Sequence, residues 1–329
     1  RRARRRRRAT LGEEHPDVLL VRSNLARCRE LQGTLEDAET TWRELLAGHE
    51  RAYGVGHPLT AQSMQGLAAA LASQQRPQDA EPLYRQALAL LTASFGEAHR
   101  DVLGAMSELA RFLGRNGGRE EALDLARRIV AVSREHLPGG HPDLVHALND
   151  LGQSLRLSGL PGEALAAFEE AIAVARTNPD VPSDSRSQCL YNLGVLLRSE
   201  LERPADAARV LSEALELDRA VYPAGHDALA GDLFHLASAL LDADRPAEAE
   251  PLLRTLLAAP YDMGPDHGRT SSRLRALGTC LAAQGQYAEA VERLEHAVER
   301  AVAIHGTEDE RTRATRAELA RVLAAAGGR

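Results

Sequence analysis

Residues 57–88 decide how this chain is read. His57-Pro58 opens the stretch, Gly66-Leu67-Ala68 stands in its middle, and Asp79-Ala80-Glu81-Pro82-Leu83-Tyr84-Arg85-Gln86-Ala87-Leu88 closes it. A proline directly after His57 suits the first position of a helix, where no backbone donor is needed. Ala80, Tyr84 and Ala87 follow the i, i+4, i+7 spacing of one helical face, small, large, small. Small residues let two helices approach, and the large one fills the gap between them. Gln74-Gln75-Arg76-Pro77 separates the two runs. The stretch therefore predicts a helical hairpin, helix A followed by helix B.

The same hairpin recurs along the chain. His15, His57, His99 and His141 are 42 residues apart; Ser183, His226, His267 and Asp309 continue the ladder. Ten residues past each rung stands a leucine: Leu25, Leu67, Leu109, Leu151, Leu193, Leu236, Leu277 and Leu319. The residue after each leucine is Ala or Gly. Helix B repeats its small residue at Ala38, Ala80, Ala122, Ala164, Ala207, Ala249 and Ala290. Pro77, Pro161, Pro204 and Pro246 all lie three residues before that alanine, which predicts them in the first turn of helix B. A unit of this length cannot bury a core alone, so its neighbours must complete it. The expected organisation is seven units at about 11–52, 53–94, 95–136, 137–178, 179–221, 222–262 and 263–305, with a terminal helix A or truncated eighth unit at 306–329. The spacing slips by one residue around Ser199–Arg203 and again near Ala259–Met263, which predicts local irregularity.

These residues resemble the tetratricopeptide repeat (TPR), and the Gly-x-x-His-Pro turn in a 42-residue unit looks like its kinesin-light-chain type. The resemblance covers residues 11–305. It implies an all-α, right-handed superhelical solenoid of antiparallel helix pairs. Other families share the period, but WD40 needs strands and Trp-Asp pairs that are lacking here, and HEAT lacks the small-bulky-small spacing of helix B.

Composition narrows the function. All 40 basic residues are arginine, so the chain has no Walker-A, kinase or Schiff-base lysine. Seven arginines crowd residues 1–10; without them 33 positive charges face 47 negative ones, a net charge of −14. A body this acidic argues against nucleic acid. Register with later units places residues 1–10 at the Arg-rich end of a preceding helix, where the dipole favours cations. Were they instead a nucleic-acid arm, binding would be salt-sensitive and lost with the arm. Cys28, Cys189 and Cys280 are scattered and read as reduced thiols packed in A helices, as in a cytoplasmic protein. No apolar run approaches the roughly 20 residues of a membrane span.

The histidine ladder suggests metal at first sight. Equivalent positions in stacked helix layers lie on the order of 10 Å apart, whereas zinc ligands sit about 2 Å from the ion. The rungs are therefore expected to punctuate the turns, beside helix N-termini. No metal site, cofactor or catalytic residue is expected, and the acidic residues read as solvated helix surface.

The resemblance implies that A helices line a groove for a peptide or partner protein. Groove positions flank the helix-A leucine; the candidates are Asn24, Arg27, Gln65, Arg111, Asn149, Gln153, Tyr191, Asn192, His235 and Arg275. Amides at such positions can pair with a partner's backbone. The expected function is a non-catalytic interaction scaffold. The alternative is a sensor array of a larger signalling protein whose kinase, NACHT/NB-ARC ATPase or caspase-like protease part lies outside this segment.

Overall fold

The computed structural model describes residues 15–137, 141–258 and 268–327. Within them the chain forms fifteen α-helices and no strand. In order these are α1 (Pro16–Leu31), α2 (Leu35–Tyr53), α3 (Pro58–Ser73), α4 (Pro77–Phe95), α5 (Arg100–Arg115), α6 (Arg119–His136), α7 (Pro142–Leu157) and α8 (Pro161–Thr177). Then follow α9 (Ser183–Ser199), α10 (Pro204–Val221), α11 (Asp227–Asp242), α12 (Pro246–Ala258), α13 (Gly268–Ala283), α14 (Tyr287–His305) and α15 (Glu310–Gly327). Odd-numbered helices are of the A type and even-numbered ones of the B type. His267, the Arg-rich segment 1–10 and the spacing change at 259–263 lie outside the described residues.

The chain divides into two compact units, residues 1–139 with 150–160 and residues 140–149 with 161–329. In each unit a helix packs on its immediate neighbours in the chain, as short connections require.

The ladder histidines begin the A helices by a specific bond. The Nδ1 atoms of His15, His57, His99 and His226 each accept a hydrogen bond at 3.2 Å, from the backbone N–H of Asp17, Leu59, Asp101 and Ala228. His141 accepts one from Asp143 at 3.1 Å. Each imidazole thus satisfies an N–H that the first turn leaves without a partner, the task usually done by Ser, Thr, Asp or Asn. An acceptor at Nδ1 places the ring proton on Nε2. At the last rung Asp309 does the same through Oδ1, 2.9 Å from the N–H of Arg311. Among the described rungs only Ser183 departs, for it lies inside α9 behind an N-cap Pro182 that offers no side-chain bond. Three rungs carry a second support. Tyr53, Phe95 and Tyr222 stack on His57, His99 and His226 with ring centroids 4.8, 4.2 and 4.4 Å apart.

Pro77, Pro161, Pro204 and Pro246 begin their B helices. The small helix-B residues Ala38, Ala80, Ala164, Ala207, Ala249 and Ala290 are fully buried. Glycines on A helices accept bulky partners from B helices. A Cβ on Gly66 would lie 2.5 Å from the Trp42 ring, and one on Gly278 2.6 Å from Leu294 Cγ. Phe168 and Leu211 are fully buried too, and each such side chain contributes about 1.5–3 kcal/mol by leaving water. Cys189 and Cys280 are buried as expected, whereas Cys28 is exposed, on the outward side of α1.

Candidate binding groove

In the second unit the A helices α9, α11 and α13 line two cavities that share Tyr191, Gly231 and Arg269. The first has a volume of about 510 Å³ and the second about 500 Å³. Their walls differ in charge, although Arg269 lines both. Asp184, Asp218, Asp227 and Asp232 line the first. Arg198, Arg273 and Arg275 line the second, with Phe234 and His235.

Asp218, at the end of α10, and Asp232, on α11, are 9% and 3% exposed. Their carboxyl groups meet inside the unit. Burial raises the pKa of Asp232 above its ordinary value of 3.8, and a hydrogen bond to Asp218, together with the charge of that neighbour, raises it further. Beside Asp218, Asp232 gives up its proton less readily than a solvated carboxyl does. Oδ2 of Asp232 has no hydrogen-bond donor among the described residues. Arg269, in the same lining, acts on the Tyr191 phenol, whereas the field on Asp232 comes from Asp218. Burial holds that phenol above its ordinary range, and Asp232 adds to the effect.

In the second cavity the Tyr191 and His235 rings meet edge to face, centroids 5.2 Å apart. Burial, helped by Arg198, pushes His235 down to about 4, so its imidazole is neutral near pH 7. Its Nδ1 has no hydrogen-bond partner among the described residues. Arg198 is held by Asp242 at 2.6 Å.

The ten sequence candidates fall into distinct places. Tyr191 belongs to both cavities, Asn149 to the first, and His235 and Arg275 to the second. Asn192 is buried beneath them; it donates from Nδ2 to Asn149 Oδ1 at 2.8 Å and accepts from Gln188 at 3.3 Å. Its amide ties one repeat to the next. In the first unit Asn24 and Arg27 are exposed on α1, and Gln65 is half-buried on α3. Arg111 is paired with Glu108, and Gln153 accepts from Arg156 at 3.1 Å.

Sequence reasoning missed Gln188, Asp232 and Arg273, and with them Asp218. The first three stand four or five residues before their helix-A leucine, one turn earlier than the positions considered, so i, i+4 geometry carries the signal. Asp218 belongs to a B helix, and its meeting with Asp232 is tertiary. The expectation that acidic residues form only solvated surface fails at these two, because the end of α10 folds inward against α11. Among the described residues no three His, Cys, Asp or Glu side chains cluster as a metal site. None of the described helices is long and apolar enough to cross a membrane.

The tetratricopeptide repeat family model matches residues 19–93, 101–177 and 263–329. No curated protein matches the chain in sequence. Among solved structures, the TPR-like repeats of a kinesin light chain-like protein from Podosopora anserina are similar, at 23% identity and a TM-score of 0.53, over 63% of this chain and 97% of that one. BtubC (BKLC) from P. vanneervenii is similar at 18% identity and TM-score 0.61, over 72% and 94%. Pseudomonas aeruginosa pilF is similar at 16% identity and TM-score 0.54, over 78% and 97%. At these identities the likeness speaks to the fold.

Proposed function

We propose, from the premise that the chain belongs to the tetratricopeptide repeat family, that it is a non-catalytic scaffold holding a peptide segment of a partner protein along its A helices. The observation that carries this reading is the pair of adjoining cavities on α9, α11 and α13, which share Tyr191, Gly231 and Arg269. Adjoining cavities with aromatic, amide and charged walls suit an extended segment that places successive side chains in successive recesses. The B helices instead carry surface ion pairs between repeats, such as Arg85–Glu121 at 2.7 Å and Arg254–Glu289 at 2.9 Å. Exposed pairs of that kind add little stability and leave that face highly polar.

The test is peptide selection from a random 12-residue phage-displayed library against the purified chain. A photoreactive group is then placed in the strongest binder. Cross-links on α7, α9, α11 or α13 support the groove. Cross-links confined to the B helices, or no selected peptide, reject it.

A further inference from the structure

The internal repeats supply their own comparison. The residue eight before each rung and the residue six after it are buried at every rung where both are described within one unit. At rung 57 the pair is His49 and Ser63, joined by a 2.7 Å hydrogen bond. At rungs 99, 183 and 309 it is Leu91 with Ala105, Ala175 with Cys189, and Ala301 with Thr315. At rung 226 it is Asp218 with Asp232. The register thus calls for apolar packing or a neutral hydrogen bond, and one rung instead holds two acids that hydrogen-bond each other only while Asp232 keeps a proton. Burying like charges together costs stability. The fold gets nothing in return, since small apolar residues fill the same place elsewhere. Local rules broken at one point of a regular scaffold mark a functional site.

The place is also open to a ligand. Both aspartates line the first cavity, and Asp232 leaves an oxygen without a donor. The stretch 178–262, which contains them, is the longest between the family-model matches.

We propose that Asp218 and Asp232 form a recess for a cationic side chain, a guanidinium or an ammonium, carried by the partner segment. This rests on the groove reading above and adds what the segment must present. Two carboxylates side by side give a guanidinium the fork of acceptors it binds best, and an ammonium a double negative charge. Cation binding would remove the repulsion that the free pair carries. The neighbouring cavity, walled by arginines, places a carboxylate of the segment close to the cation, but the acid pair alone fixes the requirement for positive charge.

The experiment selects random 12-residue peptides in parallel on the wild-type chain, D232N and D218N, at physiological salt. Melting curves first establish that each variant folds; because Asp→Asn preserves shape, at least one of the two serves. The expected result is a set of wild-type binders sharing one Arg or Lys at a fixed place. The strongest binder should lose at least tenfold in affinity on D232N or D218N. It should be unchanged on E216Q, which alters an exposed acid of α10. Exchanging its arginine for citrulline should cost the wild type a similar factor and cost D232N little; exchange for lysine separates guanidinium from ammonium recognition. Binders without a fixed cation that still cross-link to the A helices overturn the acid recess and leave the groove standing. A cationic binder held equally by wild type, D232N and D218N overturns the recess too. Absence of any binder overturns both.

Discussion

The junctions where repeats two and six begin, at rungs 57 and 226, are built on one frame and filled differently. In each, a B helix ends in a tyrosine that stacks on the next rung, Tyr53 on His57 and Tyr222 on His226. In each the histidine caps an A helix with the same 3.2 Å bond. Each A helix then ends at a non-glycine residue with positive φ, Gln75 at 60° and Asp244 at 57°. Between these shared ends the interiors diverge. His49 and Ser63 satisfy one another at any charge state, where Asp218 and Asp232 hydrogen-bond only while Asp232 is protonated and repel once it ionises. Gly66 makes room for the Trp42 ring, where the same register in repeat six holds His235, buried enough to stay neutral. The regular frame is supplied by the ends of the helices and the differences by a few interior positions, so one can change without the other.

Transplanting the acid pair is the strongest way to break this comparison. The double variant H49D/S63D puts two carboxylates into a rung that now holds a hydrogen bond. It should cost on the order of 3 kcal/mol, read as a lower denaturant midpoint at unchanged slope. An unchanged midpoint would mean that the register tolerates acids and that rung 226 is ordinary.

The converse change should stabilise. Replacing the pair by the residues of rung 99, D218L/D232A, should gain about 2 kcal/mol near neutral pH. D232N should share part of that gain, with a defined pH dependence. Asp232 is held above its ordinary 3.8, so the folded chain keeps a proton that the unfolded chain releases. Its burden on stability is absent below that value and grows as pH rises until Asp232 is ionised. The advantage of D232N over wild type should therefore widen from about pH 4 upward. His235 acts in the opposite sense. Its depressed pKa gives stability that is present above the ordinary 6.5 and lost as pH falls, but it is common to both chains and cancels in the difference. A constant difference across pH would contradict a shared, repelling pair.

The shared frame gives smaller effects of equal size in both repeats. H57A and H226A should each lose about 1 kcal/mol, the usual worth of an N-cap side chain. Asparagine at either place should restore most of it, as Asp309 does naturally at its own rung. Unequal losses in thermal melts would show that the frame is not the same in the two repeats. Smallest of all, Q75G and D244G should each change stability by only a few tenths of a kcal/mol, in the stabilising direction. Glycine relieves the positive φ but adds freedom to the unfolded chain. A loss above about 1 kcal/mol in either would mean that its side chain holds something the backbone strain conceals.

The fold was open to sequence reading because its signals are local and repeated. Pro58, Leu67, Ala80 and Tyr84 each report on a few neighbours along one helix, and the ladder says the same thing many times. The rungs were legible as punctuation; that they act through Nδ1 hydrogen bonds was not, since the bond depends on the rotamer each ring adopts. The candidate positions overlap the described cavities in part. Asn149, Tyr191, His235 and Arg275 lie on the cavities, whereas Asn192, of the same residue type as Asn149, is buried as a tie to it.

What the sequence determined by itself is the hairpin, its period and the ends of its helices, all set by spacing along a single chain segment. The meeting of Asp218 with Asp232 belongs to the tertiary structure alone. Their separation of 14 residues crosses the Tyr222-to-His226 turn, and only the packing of α10 on α11 decides whether two acids at that distance face water or each other. Burial then changes their chemistry, because a carboxylate out of water depends on the charge beside it.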